Sequence, residues 1–302
     1  MNQTTNSTPA NSLHRPYGSA SDGPWQVSIT PRSAGWGWTG LKVVELAENS
    51  ELTFPTGSTE ALILPLAGSC IVECDGETAE LAGRASVFAG GTDFVYAPRG
   101  AEVTVRTQAG GRFAVPAAEA EHVYPFRYVA AAEVDVITRG AGNCSRLVRN
   151  YCMPETLEAD RLLVCEVITP GGNWSSYPPH KHDEDKDGET RLEEIYYFEI
   201  ADNPQAVPGV AYQRVYGTPQ RPIDVLAEVR GGDVVLIPHG WHGPSMAVPG
   251  YDLYYLNAMA GPGPRAWGIC DDPAHGWIRE TWADQPVDPR VLAALPAERL
   301  ER

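Results

Sequence analysis

The sequence has few basic residues and no long apolar run. Its 302 residues include 23 Lys and Arg against 39 Asp and Glu, so the formal net charge is −16. Nucleic acids and anionic membrane surfaces attract clustered Lys and Arg, and this balance therefore argues against both as partners. The longest apolar stretch, residues 61–68 (ALILPLAG), is far shorter than the roughly 20 residues that a membrane-spanning helix needs.

Cysteines and targeting signals are also sparse. Of the six cysteines only Cys70 and Cys74 lie close together, and their spacing fits no common zinc or redox signature. We expect reduced thiols and predict that the protein is cytoplasmic. The first residues (MNQTTNSTPANS) lack the basic and apolar regions of a secretory signal, so we expect residues 1–15 to form a disordered tail.

Long helical patterns are scarce as well. The 30 Gly and 26 Pro separate short segments rich in β-branched and aromatic residues, such as 162–169 (LLVCEVIT), 194–200 (EIYYFEI) and 233–238 (DVVLIP). Short strands at regular spacing between turn signals indicate an all-β fold of the sandwich or barrel type. We predict a helical segment over residues 288–302 at the C-terminal end.

A weak internal repeat is present. Residues 91–100 (GTDFVYAPRG) and 231–240 (GGDVVLIPHG) share an early Gly, an Asp, a β-rich run and a Pro-x-Gly ending, at an offset of 140 residues. Ahead of these segments, Glu60 and Glu194 each open an apolar strand. The repeat predicts two related β-barrel halves behind the tail, residues 16–140 and 141–302.

One stretch of the second half carries the residues of a metal site. His180 and His182 lie two positions apart, and alternate residues of a strand point to the same side, so both imidazoles can converge on one ion. Glu193 and Glu194 then open an apolar strand, and His242 follows a Pro-x-Gly turn. Three imidazoles and one carboxylate suit Zn, Mn, Fe, Ni or Co.

This ordered set resembles the two motifs of the cupin superfamily, whose fold is a small double-stranded β-helix, or jelly-roll, barrel. Residues 232–242 (GDVVLIPHGWH) resemble the second motif, and the first runs from His180 to the glutamate pair with a longer gap than usual. The gap leaves Glu193 and Glu194 open as alternative ligands. We favour Glu194, because the glutamate of a cupin is typically followed directly by the apolar run of its strand, here IYYF.

The first half lacks this set. It has no His-x-His pair ahead of Glu60, and Glu102 lies where alignment of the Pro-x-Gly turns puts His242. The resemblance therefore implies a bicupin with few short helices, in which the first barrel is degenerate and the second binds one divalent metal. Zinc is the ion that we favour, with Mn, Fe, Ni and Co as alternatives. The ligands implied are His180, His182, Glu194 and His242.

Longer strings narrow the resemblance. Residues 177–183 (YPPHKHD), 192–198 (LEEIYYF) and 249–257 (PGYDLYYLN) are similar to the 5-deoxy-glucuronate isomerase family of bacterial myo-inositol catabolism, which is related to 5-keto-4-deoxyuronate isomerase. This implies an intramolecular aldose–ketose isomerase that converts 5-deoxy-D-glucuronate to 5-dehydro-2-deoxy-D-gluconate. The implied substrate is a small anionic sugar acid, and no organic cofactor is expected. An Fe(II) cupin dioxygenase, a non-catalytic sugar-binding bicupin and a homo-oligomeric assembly stay open.

Such an isomerisation moves a proton between C2 and C1 through an enediolate, so it needs an acid–base group beside the metal. No residue is singled out for this role by the sequence. Strand parity places Tyr196 beside Glu194, and Tyr196 and Tyr254 are the candidates that we name. Further candidates are Asp183, Glu199 and Asp252.

The carboxylate of a sugar acid requires a local cation, because the net charge of the protein does not attract an anion. Arginine is the natural choice, since its planar guanidinium binds a carboxylate with two hydrogen bonds. Arg214 lies in a β-rich segment and Arg265 follows the string GPGP. These two arginines are the predicted substrate-binding residues.

Overall fold

Short strands make up nearly all of the regular structure in the computed structural model, which describes residues 13–203 and 205–295. The all-β prediction with few short helices is confirmed. The elements of the first half are β1 (His14–Arg15), β2 (Trp25–Ile29), α1 (Pro31–Ala34), β3 (Thr39–Leu46), β4 (Ser50–Pro55), β5 (Thr59–Cys74), β6 (Glu77–Arg84), β7 (Phe94–Ala97), β8 (Glu102–Thr107), β9 (Gly111–Glu119) and β10 (Arg127–Val129).

The second half is built in the same manner. Short 3-10 helices lie at Ala131–Glu133, Gly142–Cys144 and Gly276–Asp284. Within the described ranges, every helix is too short to cross a membrane. The remaining elements are β11 (Asp135–Arg139), β12 (Arg146–Cys152), β13 (Leu163–Thr169), β14 (Trp174–Ser175), β15 (His180–Lys181), β16 (Glu193–Ile200), β17 (Ala211–Tyr216), β18 (Asp224–Val229), β19 (Val234–Ile237), β20 (Trp241–Ala247), β21 (Leu253–Ala260), β22 (Cys270–Asp271) and α2 (Pro289–Ala293).

Burial alternates along the outer strands and is continuous along the central ones. β17 buries every second residue beginning with Ala211, and β18 every second residue beginning with Val225, as strands with one solvated face do. β19 (VVLI) and β21 (LYYLNAMA) are buried on both faces. This explains why these two strands are almost continuous apolar runs in the sequence.

The strands form three curled sheets. The nine-stranded sheet of the first half has the main order β10-β7-β5-β9-β3-β2, with β4, β6 and β8 attached. The second half has a seven-stranded sheet, β1-β19-β16-β21-β13-β12-β11, and a six-stranded sheet, β18-β17-β20-β15-β22 with β14 on β20. The path β7-β5-β9-β3-β2 in the first half matches the path β19-β16-β21-β13-β12 in the second, so the strand order repeats along the chain.

The register of these paths shows which glutamates correspond in the two halves. Ala61 pairs with Ala97, and Glu194 pairs with Ile237. Ala97 and Ile237 are equivalent positions of the repeat, because each directly precedes the proline of its Pro-x-Gly turn. Ala61 therefore corresponds to Glu194, and Glu60 corresponds to Glu193. The match between Glu60 and Glu194 that the sequence suggested is off by one position.

Three predicted boundaries can be compared with the described elements: the end of the tail, the boundary between the halves and the start of the C-terminal helix. Leu13 is buried and His14–Arg15 pair with β19, so the last residues of the predicted disordered tail belong to the fold, while residues 1–12 lie outside the described part. β11 begins at residue 135, ahead of the predicted boundary at residue 140, and pairs with β12 in the seven-stranded sheet. Within the predicted C-terminal helix, α2 begins after Asp288, and residues 296–302 lie outside the described part.

A buried ion cluster joins the two halves. Glu166 of β13 is fully buried, and its two carboxylate oxygens accept from Arg84 of β6 at 2.9 and 2.8 Å. Arg149 of β12 adds a third bond of 2.7 Å. Burial alone would raise the pKa of Glu166, but the two guanidinium groups outweigh burial and lower the pKa. The charged carboxylate thus forms ion pairs with arginines from both halves.

We expect Glu166→Gln to lower the free energy of unfolding by about 3 kcal/mol or more, because the variant leaves two buried cations without their anion. Urea denaturation followed by circular dichroism measures the loss. The matched control is Glu51→Gln: Glu51 pairs with Arg106 at 2.8 Å on the surface, and its loss should stay below about 1 kcal/mol. Equal losses in the two variants would contradict this ranking.

Candidate metal centre

Three of the predicted ligands meet between the two sheets of the second half. Glu194 lies on β16 of the seven-stranded sheet, His242 lies on β20 of the six-stranded sheet, and His182 directly follows β15. Oε2 of Glu194 is 3.0 Å from Nε2 of His182 and 3.1 Å from Nε2 of His242. The three side chains are at most 2% exposed, and their candidate ligand atoms lie within 4.8 Å of one another. We call these residues the trio.

Alternation along β16 turns its two neighbouring glutamates to opposite sides. The carboxylate of Glu193 accepts from the backbone N–H groups of Gly37 (2.8 Å), Trp38 (2.8 Å) and Thr39 (3.1 Å) in the first half. The carboxylate of Glu194 faces the two imidazoles instead. Glu193 therefore makes a contact between the halves, whereas Glu194 belongs to the trio.

The donor atoms of the trio fit a metal cation. Nδ1 of His242 lies 3.2 Å from the carbonyl oxygen of Gly240, and we infer that it donates its proton there. Nε2 of His242 then presents its lone pair to Glu194 and has no hydrogen-bond partner among the described residues. A lone pair and a carboxylate oxygen this close repel each other unless a cation or a proton lies between them. Two imidazoles and a carboxylate are ligands that divalent transition metals prefer.

Electrostatics favour the ionised carboxylate that a metal requires. Burial would raise the pKa of Glu194, but His242 and His182 lower it to about 2. Burial alone would lower the pKa of His182, but the hydrogen bond to Glu194 and the charge of this carboxylate outweigh burial and raise the pKa. The contacts with the two imidazoles thus favour the charged form of the buried carboxylate.

His180, the fourth predicted ligand, lies beside the trio. It is the direct cross-strand partner of His242, and the two ring centroids are 4.4 Å apart, against 6.3 Å between His180 and His182. Burial, together with His242, His182 and Arg146, lowers the pKa of His180 well below its usual value. Its neutral imidazole is therefore available as a ligand or a hydrogen-bond partner.

A narrow cavity of about 30 Å³ adjoins His180, which is room for about two water molecules. A larger cavity of about 540 Å³ lies in the groove between the halves, which Arg112 and Glu199 bridge with an ion pair of 2.6 Å, but the trio does not line it. The trio does not line the smaller cavity either, but His180 and Tyr196 do, and the rings of both lie beside the ring of His242. The polar lining residues of the smaller cavity are Arg139, Arg146, Ser176, His180, Tyr196, Tyr255, Asn257, Trp267 and Arg279.

Tyr196, a predicted acid–base candidate, is in this lining and belongs to a chain of hydroxyl groups. Its hydroxyl lies 3.0 Å from Oγ of Ser176, which lies 3.1 Å from the hydroxyl of Tyr255. Its ring centroid is 6.2 Å from that of His242. Burial, followed by the charge of Glu194, raises the pKa of Tyr196 well above its usual value, so the phenol keeps its proton at neutral pH.

The structure does not bring the other acid–base candidates to the trio. Tyr254 and Tyr255 are consecutive on β21, so Tyr254 faces away from the hydroxyl chain to which Tyr255 belongs. The ring centroid of Tyr254 lies 5.8 Å from the guanidinium carbon of Arg84. Asp183 pairs with Lys181 at 2.6 Å, and Asp252 accepts from a backbone N–H at 2.8 Å. The bridge to Arg112 holds Glu199 in the groove between the halves.

The two predicted substrate-binding arginines also lie away from the cavity. Arg214 is on the outer side of β17, where it pairs with the exposed carboxylate of Asp224. Arg265 donates to the carbonyl oxygens of Leu157 and Leu162, both at 2.8 Å, and so anchors a loop. Structural contacts occupy both guanidinium groups, and neither is placed to meet a ligand beside the trio.

Three arginines that no sequence pattern singled out line the cavity instead: Arg139, Arg146 and Arg279. Arg139 and Arg146 are direct partners across the β11–β12 pair. The string GAGNCS between them contains two glycines and marks a turn, which could have indicated that the arginines meet. Which side of the sheet they share depends on the tertiary fold.

The curled antiparallel sheets with a buried His and Glu cluster between them define the class of this protein, which has a cupin fold. Within that class the chain belongs to the KduI/IolB family, because the model of this family matches residues 13–278. The resemblance noted in the sequence is therefore confirmed at the level of the family.

Individual relatives agree with this assignment. The chain is 44% identical over 258 residues to a 5-deoxy-glucuronate isomerase of Geobacillus kaustophilus, covering 84% of this chain and 91% of the relative. An IolB-like protein of Salmonella typhimurium LT2 has a similar crystal structure, with a TM-score of 0.81 and 35% identity over 88% of this chain and 99% of that chain. An oxalate decarboxylase of Lactobacillus farciminis shares the fold, with a TM-score of 0.62 and 11% identity over 99% of this chain and 97% of that chain.

The adjacent glutamates allow a matched test of the metal centre. We expect Glu194→Gln to lose at least nine-tenths of the tightly bound divalent metal, because a neutral amide replaces the buried anion of the trio. Glu193→Gln should keep the metal, since an amide oxygen still accepts from the backbone N–H groups. Mass spectrometry of metals in dialysed protein measures both. Full metal content in Glu194→Gln, or equal loss in both variants, would contradict the assignment.

Proposed function

We propose that this chain is an intramolecular aldose–ketose isomerase that converts 5-deoxy-D-glucuronate to 5-dehydro-2-deoxy-D-gluconate. The observation that carries the proposal is the buried trio beside a cavity in a chain whose relatives bear the name 5-deoxy-glucuronate isomerase. The other readings of the sequence, an Fe(II) dioxygenase and a non-catalytic sugar-binding protein, gain no support from these names.

His182, Glu194 and His242 would hold one divalent metal, with His180 as the fourth ligand. Nitrogen and carboxylate donors of this kind suit zinc, which we favour, and also Mn, Fe, Ni and Co. When bound, the ion would supply Lewis-acid stabilisation for the oxyanion that develops as the carbonyl moves between C1 and C2. The buried carboxylate of Glu194 would offset part of the charge of a bound ion.

Tyr196 would supply the proton at the oxygen of the substrate. Its phenol is protonated at neutral pH, lines the cavity and lies beside the trio. The hydroxyl of Ser176 is the next link and connects Tyr196 to Tyr255, so a proton that Tyr196 donates can be replaced along the chain of hydroxyl groups. Protein groups in such positions typically contribute factors of about 10² to 10⁴ to the rate.

We also propose that the two halves are related barrels, a bicupin in which only the second, from about residue 135, carries the metal. The repeated strand path supports this, and so does the contact of Glu60. Its carboxylate accepts from the backbone N–H groups of Asp160 (2.8 Å), Arg161 (2.7 Å) and Leu162 (2.7 Å) in the second half. The contact mirrors that of Glu193 with the first half, as expected for equivalent positions.

Two buried tyrosines give a matched test of the mechanism. We expect Tyr196→Phe to lower kcat for 5-deoxy-D-glucuronate about 100-fold or more without loss of bound metal, because the variant removes only a proton donor. Tyr254→Phe should stay within about twofold of the wild type, since its hydroxyl lies on the other face of β21. Conversion is followed by NMR of the sugar signals on metal-analysed protein.

The two parts of the proposal can fail separately. Absence of any conversion by metal-loaded wild type would refute the isomerase activity. Conversion by the wild type with an unchanged rate in Tyr196→Phe would leave the activity in place and refute the role of Tyr196.

A further inference from the structure

Two arginines face each other in the wall of the cavity without a protein anion between them. Arg139 at the end of β11 and Arg146 at the start of β12 are direct antiparallel partners, and like charges in that relation destabilise a sheet. Both side chains line the cavity beside His180. The third arginine of the lining, Arg279, is neutralised by Asp271 through a bond of 2.7 Å and a second, shorter one.

The other two guanidinium groups have only neutral partners. Arg146 is buried, and its hydrogen bonds go to the carbonyl oxygens of Cys144 (3.1 Å) and Tyr177 (3.4 Å). Arg139 stacks on Trp267, with its guanidinium carbon 4.8 Å from the ring centroid. Within the described ranges, neither arginine pairs with a carboxylate. A protein with 39 acidic residues could easily place one here, so this local excess of positive charge requires another explanation.

Further hydrogen-bond donors point to the same explanation. The side-chain nitrogens of Asn257 (Nδ2) and Trp267 (Nε1) are buried and have no partner within the described residues, and both side chains line the cavity. Buried donors without acceptors are costly, and a ligand rich in oxygen atoms would satisfy them. These donors and cations thus line the same cavity as His180 and Tyr196.

We propose that Arg139 and Arg146 form the carboxylate subsite of the enzyme, with Asn257 and Trp267 donating to neighbouring oxygens of the sugar acid. This inference rests on the proposed function and deepens it, because it assigns the part of the pocket that selects an acid over a neutral sugar. Arg139 and Arg146 replace Arg214 and Arg265 as the residues for this role.

The cavity must widen to admit a six-carbon acid, since its present volume is that of about two water molecules. Trp267, Ile269 and Arg279 form one side of the lining and come from the segment after β21. The 3-10 helix Gly276–Asp284 of that segment has no buried residue, unlike the strands on the other side. This side of the wall is therefore the one that yields to a ligand.

Kinetics with a charged and a neutral substrate test the subsite. The neutral analogue is 5-deoxy-D-glucose, which carries a hydroxymethyl group in place of the carboxylate. For Arg139→Gln and Arg146→Gln we expect kcat/KM on 5-deoxy-D-glucuronate to fall at least tenfold, mainly through KM, because a charge-assisted pair is lost. On the neutral analogue the variants should match the wild type within about twofold. Arg214→Gln is the matched control and should change neither value.

Calorimetric titration of metal-loaded wild type and Arg139→Gln provides a second readout that needs no turnover. Any contact of the ligand with the metal is common to both proteins, so a difference between them reports on the arginine. D-Gluconate, an acid without an aldehyde or ketone to isomerise, should bind the wild type at least tenfold more tightly than Arg139→Gln, and the difference should shrink as salt is raised. Equal binding by the two proteins, or activity of Arg139→Gln that is unchanged on the charged substrate, would overturn the subsite. Tighter binding of gluconate by the wild type than by Arg139→Gln, without any conversion of 5-deoxy-D-glucuronate, would support the subsite and refute only the isomerase activity.

Discussion

The alternation of side chains along β16 is the constraint on which both the joining of the halves and the candidate site depend. Glu193 binds the backbone of the first half, and Glu194, one residue later, faces the imidazoles of the second. A slip of one residue in the pairing of β16 would exchange the two sides. The register that docks the halves is therefore the same register that assembles the trio, and neither can be changed independently.

The first half uses the corresponding strand position for the reciprocal contact. Glu60 accepts from the backbone N–H groups of residues 160–162, just before β13. In the same way, Glu193 accepts from the backbone N–H groups of residues 37–39, where β3 begins. Each half thus inserts one carboxylate into backbone N–H groups of the other. The position that follows is Ala61 in the first half and Glu194 in the second. This difference removes from the first half the carboxylate that Glu194 contributes to the trio.

The sequence was informative where one strand or turn decides the outcome. The ordered motif predicted His182, Glu194 and His242, and the structure brings these three together. Arg214 was predicted from its place in a β-rich segment, which does not show which face of the strand is inner, and β17 turns Arg214 outward. Tyr254 lies on β21, which is buried on both faces, so its burial alone does not place it beside the trio. The arginines of the cavity were missed because their proximity arises from hairpin register and sheet packing.

The net negative charge of the protein explains why an anionic ligand would need Arg139 and Arg146. With a net charge of −16, the molecule as a whole repels a sugar acid, so affinity must come from short-range contacts that exclude water. Arg139 and Arg146 lie next to each other in the cavity wall, where a carboxylate could form charge-assisted bonds to both. A net negative charge combined with cations in the cavity wall favours ligands whose anionic group can reach the pocket. It disfavours bulkier polyanions, which cannot enter and meet only the repulsion.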